Sequence, residues 1–373
     1  MSPRKVLAIA AKELVQASRD PLSLLMLLGV PTMMLVMYGY AINFDVRHVP
    51  LAVRDLDKSV ESRDLVASFV NSTYFDLRAD ADAAADLDRL LQSNHARAVL
   101  VIPEGFSREL AGGRRAAVQL LVDGADANTA TALLGYAAAI VSEANVEIQA
   151  KAAGVRLAIP VSYEPRVFYN PELRSTQFLV PGLIGFILML TAVLSTALAV
   201  VREKERGTME QLRVTSLKPG ELIVGKILPY LLISLLATVL IVAAARVLFG
   251  VAVRGPYLSL FAATFVYLLG ALGFGLFVSS VSESQAMAFQ VGMVASMLPA
   301  IFLSGFIFPI RSMPVALQVL TFAVPARYFN VILRGVILKG ASLAPYWRDM
   351  AFLLLYATVM MTIAYARLTR KET

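Results

Sequence analysis

The chain has 373 residues, 58% of them hydrophobic and 16% charged, with a formal net charge of +7 and a mean hydropathy of +0.68. Soluble domains carry about 25% charged residues, so this composition points to a bilayer and excludes an ordinary soluble protein. No cysteine is present, which excludes disulfides and thiolate metal sites, and the only histidines, His48 and His95, lack ligand spacing.

Residues 3–19, PRKVLAIAAKELVQASR, read as an amphipathic helix within an N-terminal segment 1–20. Val6, Ile9, Ala10 and Leu14 lie on one side, and Lys5, Lys12 and Arg19 recur on another. A basic helix of this kind suits an anionic membrane face. Residues 22–42 carry no charge and are long enough for a hydrocarbon core about 30 Å thick. That run is too long for a signal-peptide core and has no small-residue cleavage site after it. It predicts a retained first span, TM1, over 21–42.

Residues 43–175 change character, with charges throughout. The stretches 49–57, 74–80, 96–104 and 117–126 read as strands, and 59–72, 82–94 and 128–154 as helices. Such alternation predicts an inserted α/β domain. Five further apolar segments follow at 177–201 (TM2, domain 176–201), 221–245 (TM3), 257–280 (TM4), 285–308 (TM5) and 347–366 (TM6). Pro229 and Pro299 fall inside TM3 and TM5 and predict kinks. The region of about 301–345 is broken by Pro, Gly and Arg and reads as short helices dipping into the outer face, backed by protein. The fold class is therefore an α-helical polytopic membrane protein with six transmembrane helices and an extracytoplasmic α/β insertion.

Orientation follows from Lys and Arg in the short connections. One side holds Arg4, Lys5, Lys12, Arg19, Arg202, Lys204, Arg206, Arg213, Lys218, Lys226, Arg367, Arg370 and Lys371. The other holds only Arg246, Arg254, Arg311, Arg327, Arg334, Lys339 and Arg348. Both termini are expected in the cytosol and residues 43–175 outside. Positive flanks of this kind account for the net charge, so nucleic acid is not an expected partner.

Within 202–220, REKERGTMEQLRVTSLKPG, Gly207 interrupts a helical run and Thr208 can cap a short amphipathic helix through Val214. A solvated loop would explain the basic residues but not Glu203, Glu205, Glu210 and the apolar positions. The sharper reading is a docking element for a cytosolic partner. Gly220, Gly225 and Lys226 together imitate a phosphate-binding loop. The magnesium-binding hydroxyl is missing, since Ile227 follows the lysine, and no apolar strand precedes it. Gly225 is read as a helix-packing position and Lys226 as the cytosolic boundary of TM3. ATP, if used, is hydrolysed on another chain. TM2–TM6 carry no Asp or Glu away from their ends, which counts against ion-coupled transport.

The stretch 202–230, REKERGTMEQLRVTSLKPGELIVGKILPY, resembles the signature of ABC-2 type membrane subunits of ATP-binding-cassette exporters. YNPELRSTQFLVPGLIGFIL (169–188), SRDPLSLL (18–25) and MPVALQVLTFAVPARYFNVILRGVILKG (313–340) resemble other parts of that family in the same order. VIPEGFSRELAGGRRAAVQLLVDGADANTA (101–130) resembles the external domain of its bacterial, multidrug-exporter-like branch. The resemblance implies a type V exporter-like, non-catalytic permease in the bacterial inner membrane. It would pair with a second permease subunit, identical or homologous, and with nucleotide-binding subunits that carry ATP and Mg²⁺; no cofactor is expected on this chain. The first helix would be the family's connecting helix. The coupling helix would fall on Arg202, Glu203, Lys204, Glu205, Arg206, Gly207, Thr208, Glu210, Gln211, Leu212 and Arg213. A path between TM2 and TM5 of paired subunits would put Phe178, Gly182, Phe186, Gln290, Met293 and Met297 near substrate. The external insertion favours hydrophobic or amphipathic small molecules as cargo, with an envelope adaptor as a further partner on the outer side. The alternative is a membrane-anchored receptor or envelope assembly factor acting through the α/β domain.

Overall fold

The computed structural model describes residues 2–19, 25–41, 47–80, 89–93, 95–125, 127–153, 168–170, 174–207 and 218–370. The chain divides into two compact units, one of Met1–Asn43 with Val167–Thr373 and one of Phe44–Arg166.

The smaller unit carries strands β1 (Val49–Asp55), β2 (Phe75–Asp80), β3 (Ala98–Ile102) and β4 (Gln119–Val122) in the order β2-β1-β3-β4. β1 is parallel to β2 and β3, and β4 closes the sheet antiparallel to β3. Helices α3 (Val60–Asn71), α4 (Phe106–Ala111) and α5 (Ala127–Ala153) complete it. Val49, Leu51 and Val53 alternate toward a core with Leu65, Phe69, Phe75, Leu100 and Leu133, while Ala52 and Val99 face the other side. The four expected strands and the helices at 59–72 and 128–154 are present within one to four residues. The expected helix 82–94 lies largely outside the described residues, and α4 has no counterpart in the sequence reading.

The larger unit is helical. α1 (Pro3–Arg19) is followed by a π-turn at Leu25–Gly29 and α2 (Val30–Ala41), the described part of TM1. The long helices are α6 (Ser175–Glu205), α7 (Pro219–Phe249), α8 (Tyr257–Val281), α9 (Gln285–Phe302) and α12 (Trp347–Arg370). By length and composition the described residues contain five helices able to cross a membrane. The number is six if α10 (Val315–Thr321) and α11 (Pro325–Ile337), bent by 77° at their junction, form one broken span. TM1 is described only as a shorter apolar helix, Leu27–Ala41. Pro181, Pro229 and Pro299 all lie inside helices.

α6 is the central post, with most of its residues from Leu179 to Val201 buried. Its hydroxyls are satisfied within the helix, Thr191 Oγ1 donating to the Ile187 carbonyl at 2.8 Å and Thr196 Oγ1 to that of Ala192 at 2.9 Å. Tyr267 of α8 stacks on Phe329 of α11, ring centroids 4.0 Å apart, and donates to the Gly185 carbonyl of α6 at 2.8 Å. α6 runs past the expected span to Glu205 and stops before Gly207, where the sequence places the interruption of the helical run. TM5 ends at Phe302 and not at 308, where a non-helical segment through Ser304 and Gly305 begins.

Candidate functional site

The charged end of α6 meets α1 and the start of α7. On α1, Val6, Ile9, Ala10 and Ala17 are buried, and Glu13 falls on the same stripe. Leu14, expected on the apolar side, is 44% exposed. α1 packs closely on α7 because residue 225 is glycine. A Cβ there would stand 2.7 Å from Ile9 Cβ and 3.2 Å from the Val6 carbonyl oxygen.

This approach buries a four-residue ionic cluster. Lys226 Nζ donates to Glu13 Oε1 at 3.0 Å and lies 2.5 Å from Glu203 Oε2. Lys12 Nζ donates to Glu203 Oε1 at 3.0 Å and lies 3.6 Å from Glu13 Oε1. The Glu13, Glu203 and Lys226 side chains are almost wholly buried, whereas Lys12 is half exposed. Two cations against two carboxylates make the cluster neutral as a whole, the condition under which such a group is tolerated. Burial opposes the Lys12 ammonium, but Glu203 and Glu13 outweigh it and hold its pKa above the usual value. Lys226, read from the sequence as the boundary of TM3, is an ion-pair partner buried inside the protein.

Neighbouring residues of α6 engage the remaining helices. Lys204 donates to the carbonyls of Ser279 and Ser282 at the end of α8, where the helix dipole favours a cation. Glu205 accepts the Gln285 backbone N–H at 2.7 Å and also its side-chain amide, at the start of α9, where an anion is favoured. Arg202 Nε reaches Gln285 Oε1 at 3.5 Å. Glu221 accepts the Ser2 and Lys218 backbone N–H groups at 2.6 and 3.1 Å, fastening the beginnings of α1 and α7. Arg206 is exposed, and Gly207, at φ +69°, ends the helix. Thr208, Glu210, Gln211, Leu212 and Arg213 lie outside the described residues.

The residues expected near substrate fall on two stripes. On α6, Phe178 lies under the Arg334 guanidinium, 3.9 Å from its ring centroid. Gly182 packs beneath Phe306, and Phe186 is buried edge-on to Tyr38 at 6.2 Å. On α9, Gln290 is exposed while Met293 and Met297 are half-buried against the core. Sequence reasoning did not single out Glu13. The signal was available, since a carboxylate on the apolar stripe of an amphipathic helix needs a buried cation opposite.

The sequence model of the ABC-2 family, described as "ABC-2 family transporter protein", matches residues 22–366. This chain belongs to the ABC-2 transporter family. The ABC-2 chain is 32% identical to the probable multidrug ABC transporter permease YbhS of Escherichia coli, over all of this chain and 98% of that protein. It is 30% identical to the probable multidrug ABC transporter permease YbhR of the same organism, over 96% and 97% of the two chains. With the inner membrane transport permease YhhJ it shares 29% identity over 85% and 84%. The chain is thus a multi-pass membrane protein of the transport-permease type.

Proposed function

We propose that this ABC-2 chain is the permease subunit of an exporter whose ATP and Mg²⁺ are held by a separate nucleotide-binding subunit. It pairs with a second permease subunit and moves hydrophobic or amphipathic small molecules out of the cytoplasm or inner leaflet. The naming of YbhS and YbhR as probable multidrug permeases supports that cargo class. The Lys and Arg distribution supports cytosolic termini, a cytosolic 202–220 segment and an external 43–175 insertion in a bacterial inner membrane. An envelope adaptor would meet the external insertion, and this chain itself holds no cofactor.

The observation that carries the reading is the wiring of the α6 tip. Glu203, Lys204 and Glu205 tie consecutive positions to α1, α7, α8 and α9. A displacement applied just beyond Arg206 therefore acts on four helices together. Arg206, Gly207, Thr208, Glu210, Gln211, Leu212 and Arg213 form the outer, ATPase-facing part of the coupling element, and Arg202 to Glu205 its inner anchor. A partner that contacts the outer part differently in its two nucleotide states biases the bundle by that difference. A receptor or assembly role for the α/β insertion is not favoured, because similarity to transport permeases runs the length of the chain.

Gentle purification from the native membrane tests the proposal. A stoichiometric partner with Walker A and ABC signature motifs is expected, and Glu210→Lys should release it. Glu203→Gln should retain the partner and its ATPase activity while export falls. Absence of any ATPase, under conditions that preserve other membrane complexes, would overturn the reading.

A further inference from the structure

Beside the ionic cluster lies a cleft of about 320 Å³, bounded by α1, the start of TM1, the last turns of α6 and Tyr230 of α7. Arg202 and Arg206 line it, four residues apart at the end of α6. Side chains at that spacing are neighbours, and two like charges there repel each other. Neither guanidinium has a carboxylate in ion-pair range among the described residues. Glu13 also borders the cleft, but its Oε1 is held by Lys226 and Lys12. Gln16 of α1 adds a neutral amide. The far wall is apolar, formed by Leu27 of TM1 with Leu198 and Ala199 of α6.

An anion between the two guanidiniums would remove their repulsion, and phosphate matches the guanidinium fork with paired N–H···O bonds. The cleft passes from charge to hydrocarbon within a few residues of one helix, as a phospholipid does between its phosphate and its acyl chains. We propose that it is a binding site for an anionic phospholipid, with the phosphate on Arg202 and Arg206 and an acyl chain along Leu27 and Leu198. A soluble phosphate ester offers the same head without the tail. The site belongs to the isolated chain and does not depend on the exporter reading.

Native mass spectrometry of the purified full-length chain tests this by titration with phosphatidylglycerol, phosphatidylcholine or glycerol 3-phosphate. One phosphatidylglycerol should be retained per chain, ahead of phosphatidylcholine. Arg202→Gln and Arg206→Gln should each raise its half-saturating concentration about tenfold or more, the equivalent of one charged hydrogen bond. Arg206 is exposed at the helix end, so its replacement leaves the fold intact and isolates the charge effect. Leu198→Asn should weaken phosphatidylglycerol and leave glycerol 3-phosphate unchanged. Phosphatidylglycerol binding that ignores Arg206→Gln overturns the site. Equal affinity for glycerol 3-phosphate overturns the lipid assignment in favour of a soluble phosphate.

Discussion

Glu203 and Lys226 form a buried ion pair, Oε2 to Nζ 2.5 Å, that joins the last turn of α6 to the second turn of α7. Glu13 meets the same ammonium at 3.0 Å, so Lys226 is shared between two carboxylates. Breaking a buried pair from one side costs about 3–5 kcal/mol because it strands the other charge. Lys226→Met should lower stability by about that amount in a thermal or denaturant melt in detergent. Adding Glu13→Gln should recover part of the loss, since it removes one of two carboxylates left facing each other. Exchanging Glu203 and Lys226 should not rescue, because Lys12 and Glu13 would then each meet a like charge. A double-mutant cycle reads these couplings directly.

Gly225 lies where α1 and α7 nearly touch. Gly225→Val should displace α1 at a cost of about 1–3 kcal/mol, as overpacking does. Protease sensitivity of the first helix measures the displacement. Ile9→Ala in the same chain should restore part of the protection, because the Ile9 side chain is what the added Cβ meets most closely.

Much of this junction was legible in the sequence, and the part that was not has a physical explanation. Apolar runs located the spans because a bilayer demands continuous hydrophobicity. The packing role of Gly225 was readable from the failure of the phosphate-loop reading around it. The burial of Lys226 is not legible locally, because its cover, α1, is far away in sequence. The partners of Glu203, Lys204 and Glu205 on α7, α8 and α9 are hidden for the same reason. The α/β unit was read closely because its strands alternate, whereas α4 is a short helix of FSRELA, too brief to show a period.

Arg334 on α11 donates to the carbonyls of Gly305 at 3.1 Å and Phe306 at 3.4 Å, and its guanidinium lies over the Phe178 ring. It satisfies backbone that leaves the helix beyond α9, the condition for irregular chain within a bundle. Arg334→Met should destabilise by about 1.5–3 kcal/mol. Arg334→Lys should recover less than half of this, since an ammonium cannot reach both carbonyls and stack as well. Phe178→Leu should cost less, about 0.5–1 kcal/mol. Melting curves of the three variants rank them.

In the smaller unit, Asp57 Oδ2 accepts the Ser107 backbone N–H at 3.0 Å. Hydrogen bonds from Ser59, and then from Ser107, hold the Asp57 carboxyl below its ordinary value of 3.8. A depressed folded pKa contributes stability that is present above the unfolded value and lost as pH falls through the folded one. The link between Asp57 and α4 should therefore persist at neutral pH and weaken below about 3.8. Asp57→Asn should reproduce the acid effect at pH 7, read as faster Ser107 amide exchange than in the parent chain.

The absence of cysteine makes orientation directly measurable. Ser68→Cys on α3 should react with an impermeant maleimide added outside intact cells. Arg206→Cys should react only after the membrane is opened. Reversed labelling would contradict the proposed topology.

The bend between α10 and α11 separates two helices with different surroundings. α11 is locked into the bundle through Phe329, and Tyr328 donates to the Phe322 carbonyl at 2.9 Å. α10 instead presents Val315, Val319 and Leu320 outward, each more than half exposed, with Phe322 beyond its end. This face of α10 is left uncovered within the described residues of the chain. A thinner or thicker bilayer would move α10 first, at a fraction of a kcal/mol per Å of mismatch. Arg327 of α11 contacts Thr321 and Phe322 at the end of α10, so any such movement would reach α11 through that residue. The three residues of the bend, Phe322 to Val324, are then the place where a helix facing outward is joined to one held by the bundle.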